Sequence, residues 1–390
     1  MEQVYLDHNA TTPTDPEVVE AMLPYLTGSF GNASSVHQFG RDAKVALENA
    51  REQVAAVIKC RPAELYFTSG GTESDNIAIL GTAYQYRKVK NHLIIGATEH
   101  HAVLEPAEHL KSREGFDLDI LPVDNEGRIV PDSLTDRITD NTSVVSVMLA
   151  NNETGTVQDI EPLARITHQY DALFHTDAVQ AIGKIDVDVA ALDVDLLSLT
   201  AHKIYGPKGV GALFIRQGVK IAPLFYGGGH EKRRRPGTEN VAGAVGLART
   251  LEIAQKRLQD DYSRMSELAE YFIDGVMGKI PDVHFNGSRQ HRIPSTVSLS
   301  FEGIEGESTV LSLDIKHIAA SSGSACTSGV TEPSHVLMAM DVPPILGQGA
   351  VRFSLGRSTT REQLDYVLTE LPPIVEHLRS MSPIYKSIKQ

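Results

Sequence analysis

Between residues 64 and 216 short apolar runs alternate with amphipathic segments, and this alternation narrows the available folds more than any other feature of the chain. The runs fall at 65–68, 93–97, 118–123, 144–150, 172–176, 196–200 and 211–215, with helical patterns between them at 74–87, 103–113 and 160–170. Strand–helix alternation of this kind implies an α/β fold whose mainly parallel sheet of seven strands is covered by helices on both faces. After Pro236 the texture changes. Residues 239–280 read as one proline-free helical stretch, long enough to cross between two domains. Strand patterns at 295–301, 317–321 and 350–355 and a helical pattern at 361–380 follow. The expected organisation is a large domain over 16–257, with a smaller α+β domain built from 1–15 and 258–390.

Charge and cysteine content exclude several classes. The chain carries 36 basic and 50 acidic residues, a net charge of −14, which repels phosphate backbones and anionic membranes. Neither nucleic-acid binding nor membrane association is expected. No run approaches the ~18 apolar residues of a membrane span, and MEQVYLDHNATTP shows no basic region followed by an apolar one. The two cysteines, Cys60 and Cys326, are far apart and outside any CxxC pattern. A reducing, cytoplasmic setting is expected, without a cysteine-based zinc site.

The polar residues gather where a ligand would sit. Five of the strand candidates end in FTSGGTES (67–74), GATEHH (96–101), LANNETG (149–155), HTDAVQ (175–180) and LTAHKIYG (199–206). In an open α/β sheet, ligands occupy the crevice beyond the carboxyl ends of the strands. Each cluster alone reads as a turn; five together point to one site. Ser69-Gly70-Gly71-Thr72 opens a helix, whose free N–H groups make an anion site, although a plain strand-to-helix turn explains it equally well. Asp177 needs a positive partner in a dry crevice, and a protonated pyridine nitrogen supplies one, as pyridoxal-phosphate chemistry requires. Gln180 is placed to bond the ring's phenolic oxygen. The bland alternative is that Asp177 caps the next helix. Lys203 follows a buried strand, where desolvation lowers an amine's pKa and makes it able to form a Schiff base; Thr200 and His202 flank it.

With those residues in view the chain resembles the cysteine desulfurase family of NifS/IscS type, within the fold-type I pyridoxal-phosphate enzymes. The stretches that carry the resemblance are YLDHNATTP (5–13), FGNASS (30–35), FTSGGTESDN (67–76), TEHHAVL (98–104), NNETGTVQDI (151–160), SLTAHKIYGPKGVGAL (198–213), GGGHEKRRRPGTEN (227–240), SSGSACTSG (321–329) and VRFSLGRST (351–359). The resemblance implies that Lys203 holds pyridoxal 5'-phosphate covalently and that His100 stacks on its ring and moves protons. Asp177 would pair with the pyridinium and Gln180 with the phenolate oxygen. Gly71, Thr72, Thr200 and His202 would take the phosphate, with Thr238 reaching in from a second subunit of a homodimer with shared sites. Arg352 would grip the carboxylate of L-cysteine through its planar fork, assisted by Asn152 and Asn32. Cys326, between Gly323 and Gly329, would accept the substrate's sulfur as a persulfide on a mobile loop and pass it to an iron–sulfur scaffold or other acceptor protein. As a transient cluster ligand it would be the one metal contact. The length of TSGVTEPSHVL after Cys326 resembles the branch of the family that serves cluster scaffolds. A selenocysteine lyase or another aminotransferase-like enzyme is the competing reading, and a binding scaffold without activity a third.

Some features stand apart. Ala33 occupies a position where the family usually has proline. Cys60 ends a helical pattern and reads as a structural thiol. His100 and His101, read as strand neighbours, would face opposite ways and make no metal site. The run 232–235 reads as a solvated face near the mouth of the site.

Overall fold

The computed structural model describes residues 3–322 and 333–388. Thirteen strands occur among these residues: β1 (Val4–Tyr5), β2 (Leu65–Thr68), β3 (His92–Gly96), β4 (Asp117–Leu121), β5 (Thr142–Ser146), β6 (Leu173–Asp177), β7 (Leu196–Thr200), β8 (Gly211–Ile215), β9 (Val283–Phe285), β10 (Thr296–Phe301), β11 (Ile318–Ala319), β12 (Ser321–Ser322) and β13 (Ala350–Ser354). Seven of them form the central sheet in the order β2-β8-β7-β6-β5-β3-β4. Only β8 runs against its neighbours; β7, β6, β5, β3 and β4 are parallel. The expected α/β class and mainly parallel seven-stranded sheet are borne out. Every residue of β3, β5, β7 and β8 is buried, as a sheet covered on both faces requires. Helices Gly71–Tyr86 and His101–Glu114 pack against each other and the sheet.

Element limits differ from expectation where side-chain polarity misleads. The strand expected over 144–150 is β5, two residues earlier; beyond Ser146 the chain continues extended, Val147 N–H donating to the His175 carbonyl and Leu149 N–H to that of Asp177. The strand expected at 317–321 is split into β11 and β12, which join different sheets. Helices Pro16–Leu26 and Gln38–Val57, outside the alternating stretch, pack on the long helix Val241–Lys279.

That long helix has 39 residues, about 58 Å of rise. Its first half contributes Leu247 and Leu251 to one hydrophobic core and its second half Phe272 and Ile273 to another. The second core lies under an antiparallel sheet, β12-β13-β10-β9. Val4 and Leu6 belong to it, because β1 pairs with β11. On the strength of these two cores we propose the division 16–257 against 1–15 with 258–390.

The N-terminal segment then crosses to the central sheet and straps the turn after β7. Thr12 donates from N–H and Oγ1 to the His202 carbonyl (3.0 and 2.9 Å), and its Oγ1 accepts from Tyr205 N–H (2.7 Å). Tyr205 takes a φ of 70°, a left-handed conformation that a non-glycine residue keeps only when its surroundings hold it. Its ring is covered by the Arg357 guanidinium at 4.4 Å, and its hydroxyl accepts from Arg357 N–H. No helix among the described residues is long and apolar enough to cross a membrane.

Candidate active site

The carboxyl ends of β2, β3, β5, β6 and β7 open onto one cleft of about 310 Å³. Gly71, Thr72, His100, Asn152, Asp177, Gln180, Thr200, His202, Lys203 and Arg352 all line it. Lys203 and Asp177, the pair on which the functional reading turns, therefore share a cavity.

Lys203 sits three residues past β7 in the strapped turn. Its Nζ donates to the carbonyls of Asn9 (2.6 Å) and Ala10 (2.9 Å). Burial, reinforced by Arg352, pulls its pKa down to about 8, against the opposing pull of Asp177 and Asp7. The amine is thus within reach of its neutral, nucleophilic form near physiological pH. Asp177 ends β6 and is buried; burial raises its carboxyl to about 6, although its Oδ1 accepts from Val179 N–H at 2.8 Å and Lys203 favours ionisation. The alternative of a helix cap is realised only as this local turn. Asp75 and Glu99, also buried, have carboxyls pushed well above their ordinary range by burial first and by Asp177 in part. This edge of the sheet holds more acid than its neighbours neutralise, an environment that favours a cationic ring nitrogen.

His100 is not on a strand. It is the N-cap of helix His101–Glu114, its Nδ1 accepting from Ala102 N–H at 3.0 Å. The face argument for His100 and His101 therefore does not apply, and their rings lie 6.4 Å apart. No group of three or more metal-binding side chains occurs among the described residues. With Nδ1 accepting, the neutral ring carries its proton on Nε2. Burial, then the charge of Lys203, lowers the His100 pKa to about 4, so the neutral ring dominates.

The anion end of the cleft lies at the start of helix Gly71–Tyr86, whose first N–H groups have no partner within the helix. A Cβ on Gly71 would come within 2.6 Å of Val179, so glycine lets this end approach β6 closely. Thr200 Oγ1 donates to the Val210 carbonyl at 3.1 Å, and His202 Nδ1 lies 3.3 Å from Thr11 Oγ1. Burial and Lys203 lower the His202 pKa to about 4. Arg352, on β13, approaches from the other core. Its Nη2 meets Asp7 Oδ1 at 2.9 Å, its Nη1 donates to the Asn152 carbonyl at 3.1 Å, and its buried Nε has no partner.

Two expected residues lie elsewhere. Asn32 is exposed, its Oδ1 accepting from Ser34 N–H and Oγ. Thr238 is also exposed, in the loop after Arg235. That loop nevertheless borders the head of the cleft helix, because Arg235 Nε pairs with Glu73 at 2.8 Å. The basic run is only partly solvated: Lys232 and Arg234 also lie over the Tyr66 ring. Cys60 is partly buried beside the first core, and burial pushes its thiol up to about 12, as an inert thiol requires. Cys326 and its neighbours through 332 lie outside the described residues. Of the polar residues that line the cleft, Asn9, within YLDHNATTP, and Asp75, within FTSGGTESDN, carried no sequence assignment of their own, and neither did Asp7, the partner of Arg352.

An open α/β sheet with an amine, a carboxylate and a helix N-terminus at its carboxyl edge fits a fold-type I pyridoxal-phosphate enzyme. The chain belongs to the aminotransferase class-V family, whose model matches residues 4–367, and this family depends on pyridoxal phosphate. It is similar to a cysteine desulfurase IscS from Dictyoglomus turgidum, 50% identical over 381 residues, covering 98% of this chain and 96% of the relative. A cysteine desulfurase IscS from Methanosarcina thermophila is 49% identical, with 98% and 94% covered. Among solved structures, a NifS-like protein superposes with a TM-score of 0.91 at 39% identity, covering 97% of this chain and all of that one. The resemblance read in the sequence is borne out.

The residues present fit the cofactor. The cleft supplies an amine to anchor it, a buried carboxylate for its ring nitrogen and unpartnered N–H groups for its phosphate.

Proposed function

We propose that the protein is a cysteine desulfurase that converts L-cysteine to L-alanine and passes the sulfur to Cys326. The observation that carries this reading is the shared cleft: Lys203, its pKa lowered to about 8, beside the carboxylate of Asp177, raised to about 6. Bound there, pyridoxal phosphate supplies an electron sink for the substrate's α-carbon. Asp177 would keep the ring nitrogen protonated. Lys203 would anchor the group and, as a free amine, would take the proton from the α-carbon. His100 keeps a proton on Nε2 that can be given to the reacting atoms, and Arg352 turns its fork toward the substrate carboxylate. The Cys326 thiolate attacks the substrate's sulfur; the carbon–sulfur bond breaks with its electron pair left on carbon, which takes up a proton and becomes alanine. Support for Cys326 comes from chain connectivity: Ser321 in β12 pairs with Arg352, and the four residues from Ser322 to Cys326 span at most about 14 Å.

A homodimer with shared sites accounts for the two stray residues. Asn32 is flanked by the exposed Phe30, Val36 and Phe39, and Thr238 shares its loop region with the exposed Phe225 and Tyr226. Apolar surface of this kind is covered when a second copy docks. The persulfide is handed to an acceptor protein for iron–sulfur cluster assembly, a destination favoured by the similarity to cysteine desulfurases of IscS type.

Incubating the protein with L-cysteine and a thiol reductant such as dithiothreitol, which reduces the Cys326 persulfide and frees its outer sulfur, is expected to yield alanine and sulfide in equal amounts. Cys326→Ser should keep the yellow colour and bind cysteine but release no sulfide; normal sulfide release by that variant would remove Cys326 from the reaction.

A further inference from the structure

Lys184 belongs to none of the assigned roles, yet it is set into the wall behind Lys203. Its Nζ donates to Gln180 Oε1 at 2.7 Å and to Asn9 Oδ1 at 3.1 Å, so both of these acceptors are neutral amides. Asn9 is the hub of the wall. Its main-chain carbonyl accepts from Lys203 Nζ (2.6 Å) and Gln180 Nε2 (3.0 Å), and its Nδ2 donates to the Asn152 carbonyl and Thr296 Oγ1.

Two consequences follow from the chemistry of these groups. The two edges of a glutamine amide have almost the same shape, and only their partners tell oxygen from nitrogen. An ammonium has donors and no acceptor, so it tolerates only the oxygen edge of Gln180. The N–H edge must then face Asn9 and the cleft. Burial, then the charges of Lys203 and Arg352, lowers the Lys184 pKa to about 7, so below about that pH it adds a positive charge near an amine that already faces Arg352, with His100 and His202 beside it and Asp177 and Asp7 opposing. Lys184 itself faces Lys203, Arg352 and His8.

We propose that Lys184 is a positioning residue for the cleft: it locks the Gln180 amide with its N–H edge toward the cofactor and, while protonated, places a second positive charge behind Lys203. The inference rests on the pyridoxal-phosphate reading above. Both effects favour an anionic oxygen on the ring and disfavour a proton on the nitrogen joined to it, so both lower the pH at which that proton is lost.

The test is a pH titration of the visible absorbance of the purified holoprotein, together with its cofactor dissociation constant. Lys184→Met is expected to raise the absorbance midpoint by about one pH unit and loosen the cofactor about tenfold. Lys184→Arg keeps the charge and the donors, and should stay within about 0.3 unit of the parent. If the methionine variant fails to fold, Lys184→Gln removes the charge and is read the same way, with a midpoint above the parent's expected. An unchanged midpoint in the neutral variant, or an equal shift in Lys184→Arg, overturns the proposal. A parent protein with no visible band would instead sink the cofactor reading itself.

Discussion

At the cleft, strand ends bury Asp177, Thr200, Asp75 and Glu99, and the nearby amines lose much of their proton affinity. Around Phe272 and Phe353 the arrangement is the reverse. Those rings meet edge to face at 5.1 Å, fully buried among Val4, Leu6, Leu299 and Val351. Buried polar groups cost free energy unless fully paired, whereas buried rings contribute it. The chain thus concentrates its electrostatic cost at one edge of the central sheet and recovers stability from well-packed cores elsewhere. A change at the cleft should damage chemistry while sparing the fold; a change in the second core should do the opposite.

The largest expected effect tests the first half of that contrast. Lys203→Ala should lower turnover by at least about 10⁴-fold and remove the covalent cofactor band, while its melting temperature stays equal or rises because a desolvated amine is gone. A variant that melted much lower would show that Lys203 also supports the fold. Phe272→Ala probes the other side: about 3–5 kcal/mol of unfolding free energy should be lost to the cavity, with turnover per folded molecule nearly intact. Denaturant unfolding and active-site titration separate the two. Asp177→Asn cannot carry the charge that steadies a pyridinium, and should cost roughly 10²-fold in turnover with little change in stability.

The smallest effect sharpens the comparison inside the sheet. His175 is fully buried between Ser146 and Ser198, and burial lowers its pKa to about 3. The unfolded chain therefore binds a proton that the folded chain refuses between about pH 6.5 and 3, so this residue makes stability fall as pH falls through that window. The slope is at most about 1.4 kcal/mol per pH unit. Replacing His175 with Gln should flatten the acid limb of stability by that amount relative to the parent. An unchanged slope would mean that the ring is charged in the fold.

Local pattern made much of this legible. β2, β7 and β8 lie where their apolar runs placed them, because a strand buried on both faces can contain little but apolar residues. The long helix was equally plain from its composition. Boundaries slipped where polar residues are buried near the site: Asp177, outside the expected run 172–176, ends β6, and the run expected over 144–150 carried past Ser146, which ends β5. The antiparallel course of β8 was not readable, since the side-chain pattern does not distinguish a strand's direction. Ten of the expected site residues share the cleft. Asn32 and Thr238 do not, and nothing in their local sequence separates a residue that serves its own cleft from one that could serve another.

The amino-acid order determined which chemistry was available: an amine after a buried strand, a carboxylate at the end of another, a glycine turn opening a helix. Each follows from local physics, since desolvation, dipole and turn conformation act within a few residues. Only the tertiary structure decided that Asn9 joins Lys203, Gln180, Lys184 and Asn152, and that Asp7 meets Arg352 across 345 positions of chain. Hydrogen bonds of that range have no periodicity to betray them. They exist because β1 joins the second core and draws the following residues across the mouth of the first.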